Sequence, residues 1–222
     1  MARSRWISDL HWVREGKQSR SQKTQNALLD AAEELFSEQG VEATSVADVA
    51  ARAGFSVGAV YHHFRDKKAL LYGLFDRMTE LFHETAKQAA DPQRWEGARI
   101  PDILRGYLEF YLELVRERPG FKQAALEATR NDPELLAHMN ALKTEMNEDL
   151  TALLLARKSE IDHPDPNTAV AFVLDQFAAM LNQRKESRLE PSLLAERSDE
   201  EFVREALRSS CAYLQVDPAE TE

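Results

Sequence analysis

Between Ser45 and Phe64 the chain reads SVADVAARAGFSVGAVYHHF, two short apolar-periodic segments hinged at one glycine. Val46, Val49, Ala50 and Ala53 recur at the 3–4 spacing of a helix face. Gly54 allows a sharp turn, because a residue without Cβ takes positive φ at little cost. Ser56 is then placed to N-cap a second helix with Val57 (in part), Val60 and Phe64 inward. Ala50 is small where the two helices cross. This is the pattern of a helix-turn-helix, whose second helix enters the DNA major groove. An ordinary αα-corner has the same pattern, so these residues alone leave both readings open.

The chain widens the signal downstream. The string VEATSVADVAARAGFSVGAVYHHFRDKKALLYGLF, Val41 to Phe75, closely resembles the DNA-binding domain of TetR-family transcriptional regulators. Thr44-Ser45, Ala53-Gly54, Gly58-Ala59-Val60-Tyr61, His63-Phe64, Lys67 and Leu70 carry the resemblance in order and spacing. It covers roughly residues 21–75; beyond that only helical character and length match the family. The resemblance implies a DNA reader. Ser56, Val57, Gly58, Ala59, Tyr61 and His62 would face bases or phosphates, and His63 and Lys67 would bind phosphate. Lys68, Thr44 and Ser45 lie at helix starts, where backbone amides also attract phosphate. Adjacent histidines point to different faces of a helix, so no metal site is expected at His62-His63.

A net charge of −10 is unusual for a DNA binder, but its distribution is uneven. Residues 1–75 carry ten Lys/Arg against nine Asp/Glu; the rest carries 18 against 29. The basic charge gathers in the N-terminal arm and at Arg65–Lys68, and local positive charge is what a DNA-binding face needs. The arm, residues 1–20, holds Arg3, Arg5, Arg14, Lys17 and Arg20, which suit a minor groove or phosphates; a solvated tail is the alternative.

The expected fold is all-α, with about nine helices and no period-2 strand. The boundaries read as an arm (1–20), a three-helix helix-turn-helix domain (21–75) and a helical bundle (76–222), which the resemblance implies to be a ligand-binding and dimerisation domain. Helices are expected near 24–39, 45–53, 56–63, 67–89, 101–118, 120–130, 133–158, 166–185 and 198–214. Gly40 sits at a C-cap, and Pro119 and Pro133 suit first-turn positions.

In the bundle, a pocket is expected from Tyr107, Phe110, Tyr111, Phe121, Glu127, His138, Met139, Met146, Phe172 and Phe177. Aromatic and methionine side chains suit an apolar or aromatic ligand. The last two long helices carry Phe177, Met180 and Leu181, then Phe202, Leu207, Cys211 and Leu214. They either pair with their copies in a four-helix dimer interface or close the monomer's own core.

The expected function is a transcriptional regulator, a repressor by family tendency. It would bind a palindromic double-stranded operator as a homodimer and be released by a small effector. An enzyme finds no support: there is no Gly-rich phosphate loop, nucleophile elbow or His-x-x-Glu-His helix, and no cofactor or metal is expected. His163 between Asp162 and Asp165 reads as part of a Pro-rich turn. An adaptor using the motif for protein contacts is a third reading; Tyr61, His63, Lys67 and Lys68 suit phosphates better. A lone cysteine, no apolar leader and no run of ~20 apolar residues point to the cytoplasm and away from a membrane.

Overall fold

The computed structural model describes residues 20–117, 119–130, 132–186 and 197–217. These form nine α-helices with no strand: α1 (Arg20–Gln39), α2 (Val46–Ala53), α3 (Val57–His63), α4 (Lys67–Ala90), α5 (Ile100–Glu117), α6 (Pro119–Arg130), α7 (Pro133–Leu155), α8 (Pro166–Glu186) and α9 (Asp199–Leu214). None of these helices is long and apolar enough to cross a membrane. The basic arm lies outside the described residues.

The chain divides into two compact units. One takes the described residues up to Thr85 together with Leu114–Lys143. Its core is the apolar stripe of α1 (Leu28, Ala32, Phe36) closed by Val49, Val60, Phe64, Leu70, Leu74 and Phe75, all buried. Charged clasps on its surface hold the helices in register. The Arg52 guanidinium donates to Glu38 at 2.7 Å and to Glu34 at 3.1 Å, tying α2 to α1. Arg77 on α4 reaches Asp30 at 2.8 Å and Glu33 at 3.6 Å. α6 packs on α1, so this unit is larger than the three-helix domain of the sequence reading. The Tyr72 hydroxyl on α4 donates to Asp132 at 2.6 Å, and Asp132 in turn accepts from the first amides of α7.

The other unit takes Ala86–Glu113 and the described residues from Thr144 onward. Ile100, Leu104, Leu108, Leu154, Val170, Phe177, Phe202 and Leu214 fill its core. Ser198 and Glu201 form a capping box that starts α9. Trp95 is pinned from both sides: its indole N–H donates to the Ala89 carbonyl at 2.6 Å, and its own carbonyl accepts from Arg157 at 2.6 Å. Arg157 also donates to the Ala98 and Leu153 carbonyls. That role accounts for one boundary. The expected helix 133–158 stops at Leu155, where Arg157 leaves helical geometry and a 3₁₀ turn, Lys158–Glu160, follows.

Candidate nucleic-acid interface and apolar cavity

The α2–α3 pair is punctuated by side chains at every joint. Ser45 caps α2: its hydroxyl accepts from the Asp48 amide at 3.1 Å, while Asp48 accepts from the Ser45 amide at 2.9 Å. A hydrogen bond from the Ser45 hydroxyl, at 2.7 Å, and the one from the Ser45 amide hold the Asp48 carboxyl below its usual pKa. Gly54 ends α2 in the left-handed region at φ 74° and donates to the Ala50 and Ala51 carbonyls. Ser56 caps α3 by accepting from the Ala59 amide at 3.2 Å. Val60 (1% exposed) and Phe64 (5%) turn inward. The outer face presents Val57 (41%) and Tyr61 (54%), with exposed Gly58 and His62 beside them and Ala59 and His63 half-buried. The two histidine rings meet edge-on at 5.2 Å.

Three flanking residues of the sequence reading serve the fold as well. Thr44 is 2% exposed; its hydroxyl donates to the Gly40 carbonyl at 2.8 Å, closing the end of α1. Lys67 donates to the Val41 and Glu42 carbonyls at 3.0 and 3.2 Å, bracing the α1–α2 turn. Lys68 lies 5.1 Å over the Tyr72 ring. A hydrogen bond with Tyr72, and the Asp132 and Asp66 charges, raise its ammonium pKa. Ser45 and Lys68 remain exposed next to α3 in sequence.

Gly58 has open space above it. A Cβ there would meet only the Ser56 hydroxyl, at 3.7 Å. Gly58→Ala is therefore expected to stabilise the fold by about 0.5–1 kcal/mol, the helix-propensity gain. It is also expected to weaken DNA binding about tenfold by holding the α3 backbone off the groove. Thermal denaturation and an anisotropy titration read the two effects separately.

The second unit contains an apolar cavity. Ala86, Ala89 and Ala90 of α4, Trp95, Ile103, Gly106, Tyr107 and Phe110 of α5, and Met146, Leu150 and Leu153 of α7 line it. All the space between these atoms out to the open mouth is about 390 Å³, but the room left for the centre of a water molecule is only about 30 Å³. That is the room of about two water molecules, in a lining with almost no polar partner for them. No lining side chain carries a charge. Tyr107 is its one hydroxyl; burial pushes that phenol up to about 12, and its ring stacks on Phe177 at 6.3 Å.

The structure separates the ten residues proposed for a pocket. Tyr107, Phe110 and Met146 line the cavity, with Phe177 behind Tyr107. Tyr111 is half-buried on α5 and absent from the lining. Phe172 is 49% exposed on α8, 4.8 Å from Tyr213. His138 stands 6.5 Å from Phe75 in the other unit, where Met139 and Glu127 also lie, the latter 3.7 Å from Arg130. The Phe121 side chain falls outside the described residues. The alanines of α4, Trp95 and Gly106 were not foreseen. Ala86, Ala89 and Ala90, interrupted by Lys87 and Gln88, form no apolar stripe that would have marked them.

The residues proposed for a dimer interface are placed differently too. Phe177, Leu181, Phe202, Leu207, Cys211 and Leu214 are all buried within the single chain, and Met180 is half-buried. α8 and α9 pack on each other. Their outward face mixes Ala171, Phe172, Ala178 and Ala179 with Asp175 on α8, and Ala212 with Ser209 and the ion-paired Arg204, Glu205 and Arg208 on α9, all exposed.

Comparison with known proteins agrees with this layout. The family profile described as bacterial regulatory proteins, tetR family, matches residues 28–74, and that described as tetracyclin repressor-like, C-terminal domain, matches 100–214. TtgR, an HTH-type transcriptional regulator of Pseudomonas putida, is 32% identical over 142 residues, which is 64% of this chain and 60% of TtgR. The match thus spans less than two thirds of that relative. PfmR of Thermus thermophilus shares the fold with a TM-score of 0.60 at 24% identity, over 93% of this chain and 100% of PfmR. SmeT, the repressor of a Stenotrophomonas maltophilia multidrug efflux pump, does so with 0.59 at 23%, over 87% and 91%. A complex of SmeT with triclosan gives 0.58 at 24%, over 86% and 90%.

Proposed function

The chain belongs to the TetR family of bacterial regulatory proteins, and on that premise we propose that it is an effector-released repressor. It binds a palindromic operator as a homodimer in the bacterial cytoplasm. The observation that carries this reading is the α3 face: a capped, well-anchored helix that leaves a bare backbone patch and two large side chains outward. Contacts from flanking cations fix register on the phosphates, while α3 meets the base edges. Ser45, Ser56, Gly58, Ala59, His62 and Lys68 complete this face with Val57, Tyr61 and His63.

The effector is a small apolar or aromatic molecule taken up by the cavity. A precedent in kind is SmeT, which binds triclosan in its complex. The cavity's narrowness couples binding to movement. A ring-sized molecule fits only if α4, α5 and α7 part, and α4 is one continuous helix from Lys67 to Ala90. An effector that binds the parted state better shifts the population away from DNA-competent spacing. Moving occupancy from mostly bound to mostly free takes roughly 3–5 kcal/mol of differential affinity. Operator titrations across a library of neutral aromatic compounds test this, with release by at least one of them expected. An operator affinity unchanged across the library would remove the effector from the account.

The dimer forms through the outward face of α8 and α9. Small residues there let two copies approach closely, and Phe172 supplies the large apolar contact. Phe172→Asp, at an exposed position, is expected to leave the fold intact and convert the dimer to a monomer in light scattering at micromolar concentration. It is also expected to lose palindromic operator binding, because one α3 holds only one half-site. A dimer that survives this substitution contradicts the placement.

A further inference from the structure

The residue types on α3 restrict how it tells one base from another. From Ser56 to His63 there is no Arg, Lys, Asn, Gln, Asp or Glu. Those are the side chains that read guanine and adenine by paired hydrogen bonds or accept from cytosine. The polar groups present are Ser56, the Tyr61 hydroxyl and the two histidines. The Ser56 oxygen is already engaged by the Ala59 amide, and the histidines sit at the far end of the helix.

What α3 offers instead is exposed carbon. Val57 (41% exposed) and Tyr61 (54%) are four residues apart and therefore lie one above the other on one face. Phe55 (38%) precedes them in the turn, and Gly58 beside them presents no side chain. The one apolar group on the floor of the major groove is the C5 methyl of thymine. Resting on the operator-binding reading above, we propose that α3 selects its half-site by thymine methyl groups docked against Val57 and the ring of Tyr61, with Gly58 setting the depth of approach. Thymine steps therefore dominate the half-site beneath α3. Discrimination there depends on methyl burial more than on hydrogen-bond pairing.

The test uses the full chain and an operator selected from a random duplex library. Each thymine of the selected half-site is replaced in turn by deoxyuridine, which keeps the hydrogen-bonding edge and deletes only the methyl. At two or more positions per half-site the dissociation constant should rise about three- to five-fold, the scale of one buried methyl. Val57→Ala should weaken binding to the thymine operator and shrink the thymine-to-uracil ratio at one position toward one. Tyr61→Phe, which keeps the ring, should preserve the ratio at the other. Deoxyuridine changes only the DNA, so this arm is independent of any folding defect. If the chain binds its selected operator with salt dependence but every replacement leaves affinity unchanged, the methyl inference is overturned and the operator reading stands. If no duplex is enriched at all, both fall together.

Discussion

Phe64→Ala is expected to abolish specific DNA binding and to lower the unfolding free energy by about 3–5 kcal/mol, the cost of emptying a buried phenylalanine site. Phe64 is the C-cap of α3 and is 5% exposed. Its ring lies so close to α4 that a Cβ on Gly73 would come within 2.8 Å of it. Without the ring, α3 loses its anchor to α4, and its outward side chains lose their fixed orientation. Scanning calorimetry should show a melting temperature lower by on the order of 10 °C. An unaltered operator affinity in this variant would show that α3 is held by something other than its C-terminal anchor.

Gly106→Ala acts on the other unit. The new Cβ would stand 2.5 Å from the Trp95 ring, a separation no real contact permits, so the indole has to move. It is not free to move cheaply, because its N–H is bonded to the Ala89 carbonyl and the Trp95 backbone is held by Arg157. Overpacking of this kind costs about 1–3 kcal/mol, partly offset by the better helix propensity of alanine. Trp95 is a wall of the cavity, so the effector response should fall tenfold or more while operator affinity in the absence of effector stays within about twofold. Tryptophan fluorescence and operator-release titrations measure the two sides. Full effector release from this variant would place the effector elsewhere than the Trp95 cavity.

The helix-turn-helix was legible because its joints are single residues with distinct chemistry. Ser45 and Ser56 cap, Gly40 and Gly54 take positive φ, and each marks a boundary on its own. Boundaries without such marks were less clear. α1 begins at Arg20, four residues before the expected Thr24, because the polar run Arg20–Lys23 shows no apolar period. The cavity was harder to see. Apolar stripes on α5 and α7 are wide, and each residue turns ~100° around a helix. Phe110 therefore lines the cavity while the next residue, Tyr111, does not. Alanines give no sequence signal for a wall, yet three of them on α4 make one.

The face proposed for dimerisation shows the same limit from the opposite side. The strongest apolar stripes of α8 and α9 belong to the protomer's own core, where Phe177 and Leu214 are fully buried. Periodicity finds the face with the strongest apolar stripe, and the chain buries that face in its own core. The outward face, where Phe172 and alanines mix with Asp175, Arg204, Glu205 and Arg208, carries a weaker apolar signal, and only the placement of both helices shows which residues share it. The division of the chain was likewise beyond the sequence, because the packing of α6 on α1 depends on contacts distant along it.

Affinity for a selected operator, measured by fluorescence anisotropy at ~50 and ~200 mM salt for the wild-type chain and for Tyr61→Ala, tests the role of α3 most directly. Phosphate contacts release counterions, so wild-type affinity should fall roughly a hundredfold or more between the two conditions. Tyr61→Ala should keep that salt dependence while losing most of its preference for the operator over random duplex, because, as proposed, base contacts fall to Tyr61 and phosphate contacts to the cations. Binding that is indifferent to salt, or an operator preference untouched by Tyr61→Ala, would contradict the assignment of α3 as the reading helix.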